Sequence, residues 1–114
     1  MKSAVLTDER EVSVMDRERP TPGEKDVIVE IGACGVCMTD YHLYHGTFPA
    51  EFPVVPGHEF AGRVAGVGES VESDSKGDPI AEGDPITVVP GIVCGECWYC
   101  DNVPARPTTC EDRD

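Results

Sequence analysis

The sequence predicts a mainly β fold, a small irregular barrel in which short strands are joined by turns and short helical segments. Twelve Gly and ten Pro residues interrupt the 114-residue chain too often for long helices. Runs of β-branched residues are bounded by Gly or Pro, as strands usually are. The chain has the common size of one domain and is long enough for one hydrophobic core. We therefore treat residues 1–114 as a single domain.

Three segments carry the strand signal. The stretch "DVIVEIGACGVC" follows the turn "TPGEK" and is rich in β-branched residues between positions 27 and 31. "FAGRVAGVG" and "PITVVPGIV" are the other two candidates. Between the first two, "MTDYHLYHG" predicts a short helical turn, in which Thr39 and Asp40 can accept hydrogen bonds from free backbone N–H groups. The acidic stretch "GESVESDSKGDPIAEGD" predicts a polar loop.

The balance of charge argues against some partners. Asp and Glu number 22 against nine Lys and Arg, which gives a formal net charge of −13. Binding to nucleic acid or to an anionic membrane needs a Lys or Arg for each phosphate contact, so the sequence predicts neither partner. A carboxylate-rich surface with few Lys residues is what a protein in concentrated salt would carry, because screening removes the self-repulsion. We expect a halophilic source, with an ordinary acidic cytosolic protein as the alternative.

The N-terminal sequence and the cysteines predict a cytoplasmic protein. The stretch "MKSAVLTDEREVSV" has no apolar core of signal-peptide length, and no run of the sequence approaches a membrane span. Six cysteines in such a chain are expected to be thiols or metal ligands rather than disulfides.

Four of the six cysteines form a metal-binding pattern near the end of the sequence. In "CGECWYC", two C-x2-C turns share Cys97, and each turn is tight enough to aim two sulfurs at one ion. A fourth cysteine can reach back to complete a tetrahedron of thiolates. A closed site of this kind has no open position for substrate, so we expect a structural zinc lobe over about residues 91–114. An iron–sulfur cluster is the chemical alternative. The four predicted ligands are Cys94, Cys97, Cys100 and Cys110.

A second set of metal-ligand types lies earlier in the chain. Cys37 follows the first predicted strand, and "PGHEFAG" offers His58 with Glu59 beside it. One Cys and one His leave room for a further protein ligand and an exchangeable water or substrate, which is the composition of a catalytic zinc site. Asp40 or Glu59 could tune the ligands, although Asp40 could also simply cap a turn. Cys34 forms a C-x2-C with Cys37, but without a βαβ context we expect a buried thiol rather than a redox motif.

Three motifs in order give the sequence a family resemblance. "GVCMTDYH", "PGHEFAGRVAGVG" and "CGECWYC" together resemble the zinc-dependent medium-chain alcohol and polyol dehydrogenases. The resemblance is to their N-terminal catalytic domain, a GroES-like β-barrel. It extends from about the first predicted strand to Cys110. The nine residues between Cys100 and Cys110 make a longer interval than is usual in the family, and we expect the longer loop still to close the site.

The resemblance implies a role for each residue of the second set. Cys37 and His58 would ligate a catalytic zinc, and Glu59 would be a nearby carboxylate that can approach or replace a ligand. Thr39 would hydrogen-bond the substrate hydroxyl and begin a proton relay. The two further residues that it implies are His42, at the solvent end of the relay, and Asp40, which would steady the ligands.

The resemblance also implies a partner domain. The family binds NAD or NADP through a nucleotide-binding domain that follows this region, and no such domain is present in the 114 residues. We therefore expect the N-terminal piece of an oxidoreductase that acts on a small alcohol, polyol or sugar and forms a homo-oligomer at full length. The isolated chain is expected to be inactive. The alternative is a non-catalytic zinc-binding or GroES-like assembly module.

Overall fold

The computed structural model describes residues 1–104 and 106–112. Its five strands form two antiparallel sheets, a two-stranded one and a three-stranded one with the order β3-β4-β5. The prediction of a mainly β fold is confirmed. In the part of the chain that is described, the two sheets do not close into a barrel. The strands are β1 (Lys2–Asp8), β2 (Glu11–Asp16), β3 (Val27–Cys34), β4 (Phe60–Val67) and β5 (Pro85–Thr87).

Helical structure is short, as the density of Gly and Pro predicts. Helix α1 spans Met38–Tyr44, where the sequence predicted a helical turn, and helix α2 spans Trp98–Asn102. A 3₁₀ turn follows at Pro107–Thr109. Across residues 1–104 and 106–112, no helix combines the length and the hydrophobicity that crossing a bilayer requires.

The structure confirms two of the three predicted strands over most of their length and the third only in part. The two segments that contain β3 and β4 are confirmed as strands, whereas only the first three residues of "PITVVPGIV" form β5. The hairpin of β1 and β2 was not predicted. Its second strand exposes apolar side chains, with Val12 54% and Val14 70% exposed, so the alternation of buried and polar residues that marks a strand is weak there.

The hydrophobic core is small, and β1 is joined to the loop before β4. Val5 and Leu6 of β1 and Val64 of β4 are buried. Leu6 also exchanges two backbone hydrogen bonds with Val54, at 2.8 and 2.9 Å. This bridge anchors the loop that leads into "PGHE", so the N-terminal hairpin helps to fix the position of that segment.

Candidate metal centres

Antiparallel pairing of β3 with β4 brings the first set of candidate ligands together. Cys34 at the end of β3 is paired with Phe60 at the start of β4. The segment after β3 and the segment before β4 therefore leave the sheet at the same edge. There, Cys37 Sγ lies 3.2 Å from His58 Nε2. A carboxylate oxygen of Glu59 completes a group of three ligand atoms that lie within 4.8 Å of one another.

The start of α1 fixes the thiol of Cys37. Cys37 is the N-cap residue, and its Sγ accepts a hydrogen bond from the Thr39 N–H at 3.3 Å. Asp40 accepts in return from the Cys37 N–H at 2.8 Å, which completes a capping box. Both bonds satisfy N–H groups that the helix itself leaves free, and they orient the Cys37 side chain.

Asp40 also joins the helix to the loop that carries His58. Its other carboxylate oxygen accepts a hydrogen bond from the Gly57 N–H at 3.1 Å. Partial burial raises the pKa of Asp40, but these two backbone hydrogen bonds, together with the Cys37 thiol, outweigh it, so the pKa lies below its ordinary value. A charged Asp40 thus bridges the segments of both candidate ligands.

Two glycines allow these segments to approach closely. Gly57 has a φ of +97°, and a Cβ at that position would lie 2.9 Å from Cys34 Sγ. A Cβ at Gly35 would lie 3.0 Å from Glu59 Oε2, and the Gly35 N–H donates to the Glu59 carbonyl at 2.8 Å. The sequence analysis did not identify either glycine as part of the site, although "PGH" marks a turn beside the histidine.

The prediction of a buried Cys34 is wrong, because its side chain is exposed. The last five residues of β3 are all exposed, so the described elements leave this end of the sheet uncovered. Its Sγ donates a hydrogen bond to the Gly35 carbonyl at 3.4 Å.

The structure also brings the four C-terminal cysteines together. Their sulfur atoms lie within 4.8 Å of one another. Individual sulfur–sulfur distances are 3.5 Å for Cys97 and Cys100, 3.6 Å for Cys110 and Cys94, and 3.9 Å for Cys94 and Cys100. Cys110 therefore reaches back across the longer loop, and its Sγ accepts from the Cys94 N–H at 3.4 Å.

The protonation of these thiols is strongly uneven. The nearby backbone N–H groups of Glu111 and Cys100 favour the thiolate and lower the pKa of Cys97 to about 6. Desolvation and the neighbouring thiols raise the pKa of Cys100 to about 12. Thiolates this close repel one another, so the four sulfurs can all lose their protons only if a cation lies between them.

Both groups have spacings that fit a zinc ion. Zn–S bonds of about 2.3 Å at tetrahedral angles place sulfurs roughly 3.8 Å apart. The three measured sulfur–sulfur distances, from 3.5 to 3.9 Å, bracket that value. A cluster of several iron and sulfide atoms needs more room between its cysteines. The 3.2 Å between Cys37 Sγ and His58 Nε2 is near the roughly 3.5 Å expected for S and N ligands of one zinc.

The two candidate relay residues lie on α1. Thr39 and His42 are three positions apart, so they share one face of the helix. His42 Nδ1 is 2.9 Å from Thr47 Oγ1, beyond the end of the helix. Thr47 was not identified in the sequence analysis, because a threonine in a short loop carries no distinctive signal.

Comparison with known proteins assigns the family. Residues 23–112 match the alcohol dehydrogenase GroES-like domain. The chain belongs to this family, which confirms the resemblance seen in the three motifs.

Individual relatives are dehydrogenases of greater length. The chain is 39% identical over 105 residues to an alcohol dehydrogenase of Geobacillus stearothermophilus, covering 88% of this chain and 29% of that protein. It is 34% identical over 116 residues to sorbitol dehydrogenase of Bacillus subtilis, covering 98% and 31%. A solved alcohol dehydrogenase structure from Escherichia coli CFT073, complexed with NADH, superposes with a TM-score of 0.79 at 34% identity, covering 100% and 31%. The chain thus spans about 30% of the length of the curated relatives it matches.

Proposed function

We propose that this chain is the N-terminal catalytic domain of a zinc-dependent dehydrogenase that oxidises an alcohol, polyol or sugar hydroxyl and passes the hydride to NAD or NADP. The observation that carries the proposal is the pairing of Cys37 with His58 in a group separate from the four cysteines. One group has the composition of a closed structural site and the other that of an open catalytic site. Relatives named alcohol and sorbitol dehydrogenase support the reaction class.

The four-cysteine group would hold the structural ion. All four ligands are thiols, and their spacing leaves a place for a single ion. The segment from about residue 91 onward then forms a zinc lobe in which the ion replaces a hydrophobic core. Its function is to stabilise this end of the chain rather than to bind substrate.

Cys37 and His58 would hold the catalytic ion, with Glu59 close enough to approach it. A zinc ion held by these residues would supply the polarisation of a substrate hydroxyl that makes its deprotonation feasible near neutral pH. Asp40 holds the segments of Cys37 and His58 next to each other, because it accepts hydrogen bonds from the backbone N–H groups of Cys37 and Gly57.

Thr39 and His42 would conduct the proton away from the substrate. The hydroxyl of Thr39 would accept that proton and release its own hydrogen along the relay, beside Cys37, whose sulfur the Thr39 N–H already contacts. His42 lies on the same face of α1 and is exposed, so it can pass the proton to water. A nicotinamide bound by a further domain would accept the hydride. The complex of a relative with NADH supports this choice of cofactor.

The cellular setting is also a proposal. All six cysteines are free thiols in the structure, which suits a reducing cytoplasm. The net charge of −13 supports a partner list without nucleic acid or membrane and suits a saline environment. We expect the longer enzyme to form a homo-oligomer.

A chimeric enzyme distinguishes a catalytic domain, as proposed, from a non-catalytic assembly module. This chain replaces the matching region of the Geobacillus alcohol dehydrogenase, and alcohol-dependent reduction of NAD or NADP is measured with primary alcohols and sorbitol. We expect turnover that His58→Asn abolishes. A folded chimera that holds zinc at both sites and turns over none of these substrates would contradict the proposal and favour the assembly module.

A further inference from the structure

His42 is held by a residue outside the sites described above. Thr47 follows α1, and its Oγ1 lies 2.9 Å from His42 Nδ1. The same hydroxyl donates to the His42 carbonyl at 3.3 Å, and the Thr47 N–H donates to that carbonyl at 2.9 Å. Backbone and side chain of Thr47 thus contact both the main chain and the ring of His42.

These contacts favour one ring nitrogen as the carrier of the proton. A threonine hydroxyl has one hydrogen, and the His42 carbonyl, 3.3 Å from Oγ1, is placed to accept it. With the hydroxyl hydrogen on that carbonyl, Oγ1 accepts from the ring and Nδ1 carries a hydrogen. In a neutral imidazole the other nitrogen, Nε2, has the free lone pair.

We propose that Thr47 is a positioning residue for His42, which fixes the Nδ1–H tautomer and leaves Nε2 as the ring nitrogen that is free to accept a proton from the relay. This inference rests on the proposed function, because it assigns His42 to the relay. When Nε2 takes the proton, the ring becomes an imidazolium that still donates from Nδ1 to Thr47. Release of one proton to water restores the neutral ring, so the step needs no other reactant.

The tautomer can be read directly on the chain without turnover. Long-range ¹H–¹⁵N correlation spectra of ¹⁵N-labelled protein distinguish protonated from unprotonated imidazole nitrogens. The spectra are recorded at about pH 8. His42→Gln assigns the signals among the three histidines. Thr47→Val removes the hydroxyl with little change of shape, and Thr47→Ser restores it.

We expect the Nδ1–H tautomer in the parent chain and in Thr47→Ser. In Thr47→Val, loss of one hydrogen bond should move the tautomer ratio toward Nε2–H by about fivefold. The control Thr7→Val removes a hydroxyl that contacts Glu11 Oε1 at 3.0 Å in the β1–β2 hairpin, and it should leave the ratio unchanged.

Two results overturn the positioning role. One is an Nε2–H tautomer in the parent chain, and the other is an equal ratio in the parent and Thr47→Val. Failure of the proposed function gives a different pattern. The chimera would then be inactive while the tautomer of His42 still depended on Thr47.

Discussion

Cys37 Sγ lies 3.2 Å from His58 Nε2, although the two residues are 21 positions apart in the sequence. The sheet provides the approach by pairing the end of β3 with the start of β4. Asp40 provides the fine alignment, since it accepts hydrogen bonds from the backbone on both sides. Four of the predictions below test this arrangement and the chemistry assigned to it.

The first prediction concerns Asp40. Asp40→Asn keeps the shape of the side chain but replaces one of the two acceptor oxygens with a donor, so either the Cys37 or the Gly57 N–H loses its partner. We expect zinc affinity at the Cys37–His58 group to fall about 10–100-fold, as for other groups that orient metal ligands. Zinc titration in competition with a chromophoric chelator measures the change.

The matched control for Asp40 is Asp84→Asn. Asp84 also accepts a backbone hydrogen bond, from the Ala81 N–H at 2.8 Å, but it lies in the loop before β5. It should leave both zinc affinities unchanged. Equal zinc affinity in Asp40→Asn and the parent chain would show that the bridge does not align the ligands.

The second prediction compares two glycines with positive φ. Gly57→Ala forces an alanine into the left-handed region, at a φ of +97°, and places its Cβ 2.9 Å from Cys34 Sγ. Gly77→Ala meets a similar φ of +87° with nothing within 4 Å. Both should lose about 1 kcal/mol or more of stability from backbone strain. Only Gly57→Ala should also weaken zinc binding at the Cys37–His58 group.

Unfolding by denaturant and zinc titration of the two glycine variants separate these effects. If the variants bind zinc equally well, the close approach at Gly57 does not position His58.

Much of the site could be predicted because its motifs are local. The turns that join Cys94, Cys97 and Cys100 need only short-range geometry, and so does the hydrogen bond that Asp40 accepts from a free backbone N–H at the start of α1. The hydrogen bond from Gly57 to Asp40 spans 17 positions and depends on the pairing of β3 with β4, which single positions in a sequence do not reveal. The sequence predicted a small irregular barrel, whereas the described strands lie in two sheets that do not close.

The third prediction concerns the order in which Thr39 and His42 transfer the proton, and it is tested in the chimera. Thr39→Val removes a hydroxyl that would touch substrate but no metal ligand, so alcohol oxidation should fall by on the order of 10²-fold or more while zinc stays bound. His42→Gln should reduce the rate less, mainly at lower pH, because water can partly replace a proton acceptor at the solvent end. Steady-state rates and zinc content measure both. Retained activity in Thr39→Val, or equal and near-total loss in both, contradicts the order.

The fourth prediction concerns pH and the acidic loop before β5. Hydrogen bonds from the N–H groups of Lys76 and Asp78 hold the pKa of Asp74 below its ordinary value. A lowered pKa in the folded state means that the charged form is favoured, so these bonds should persist above about pH 4 and be lost as the pH falls through the lowered pKa. The amide proton shifts of Lys76 and Asp78 report the titration.

Asp74→Asn supplies the control for this loop. The neutral amide should remove that transition from both amide protons. A midpoint at or above the ordinary Asp pKa in the parent chain would contradict the proposed stabilisation of the Asp74 charge.

The fifth prediction tests the central claim, that the chain has one closed zinc site and one open site. Protein loaded with zinc is dialysed against a mild chelator, and the remaining metal is measured by elemental analysis. A four-thiolate site should retain its ion, whereas Cys37 and His58 supply two firm ligands and should lose theirs. We expect one zinc per chain in the parent and in Cys37→Ser, and none in Cys97→Ser, whose two sheets should remain folded. Two zinc ions retained by the parent, or one retained by Cys97→Ser, would contradict the account.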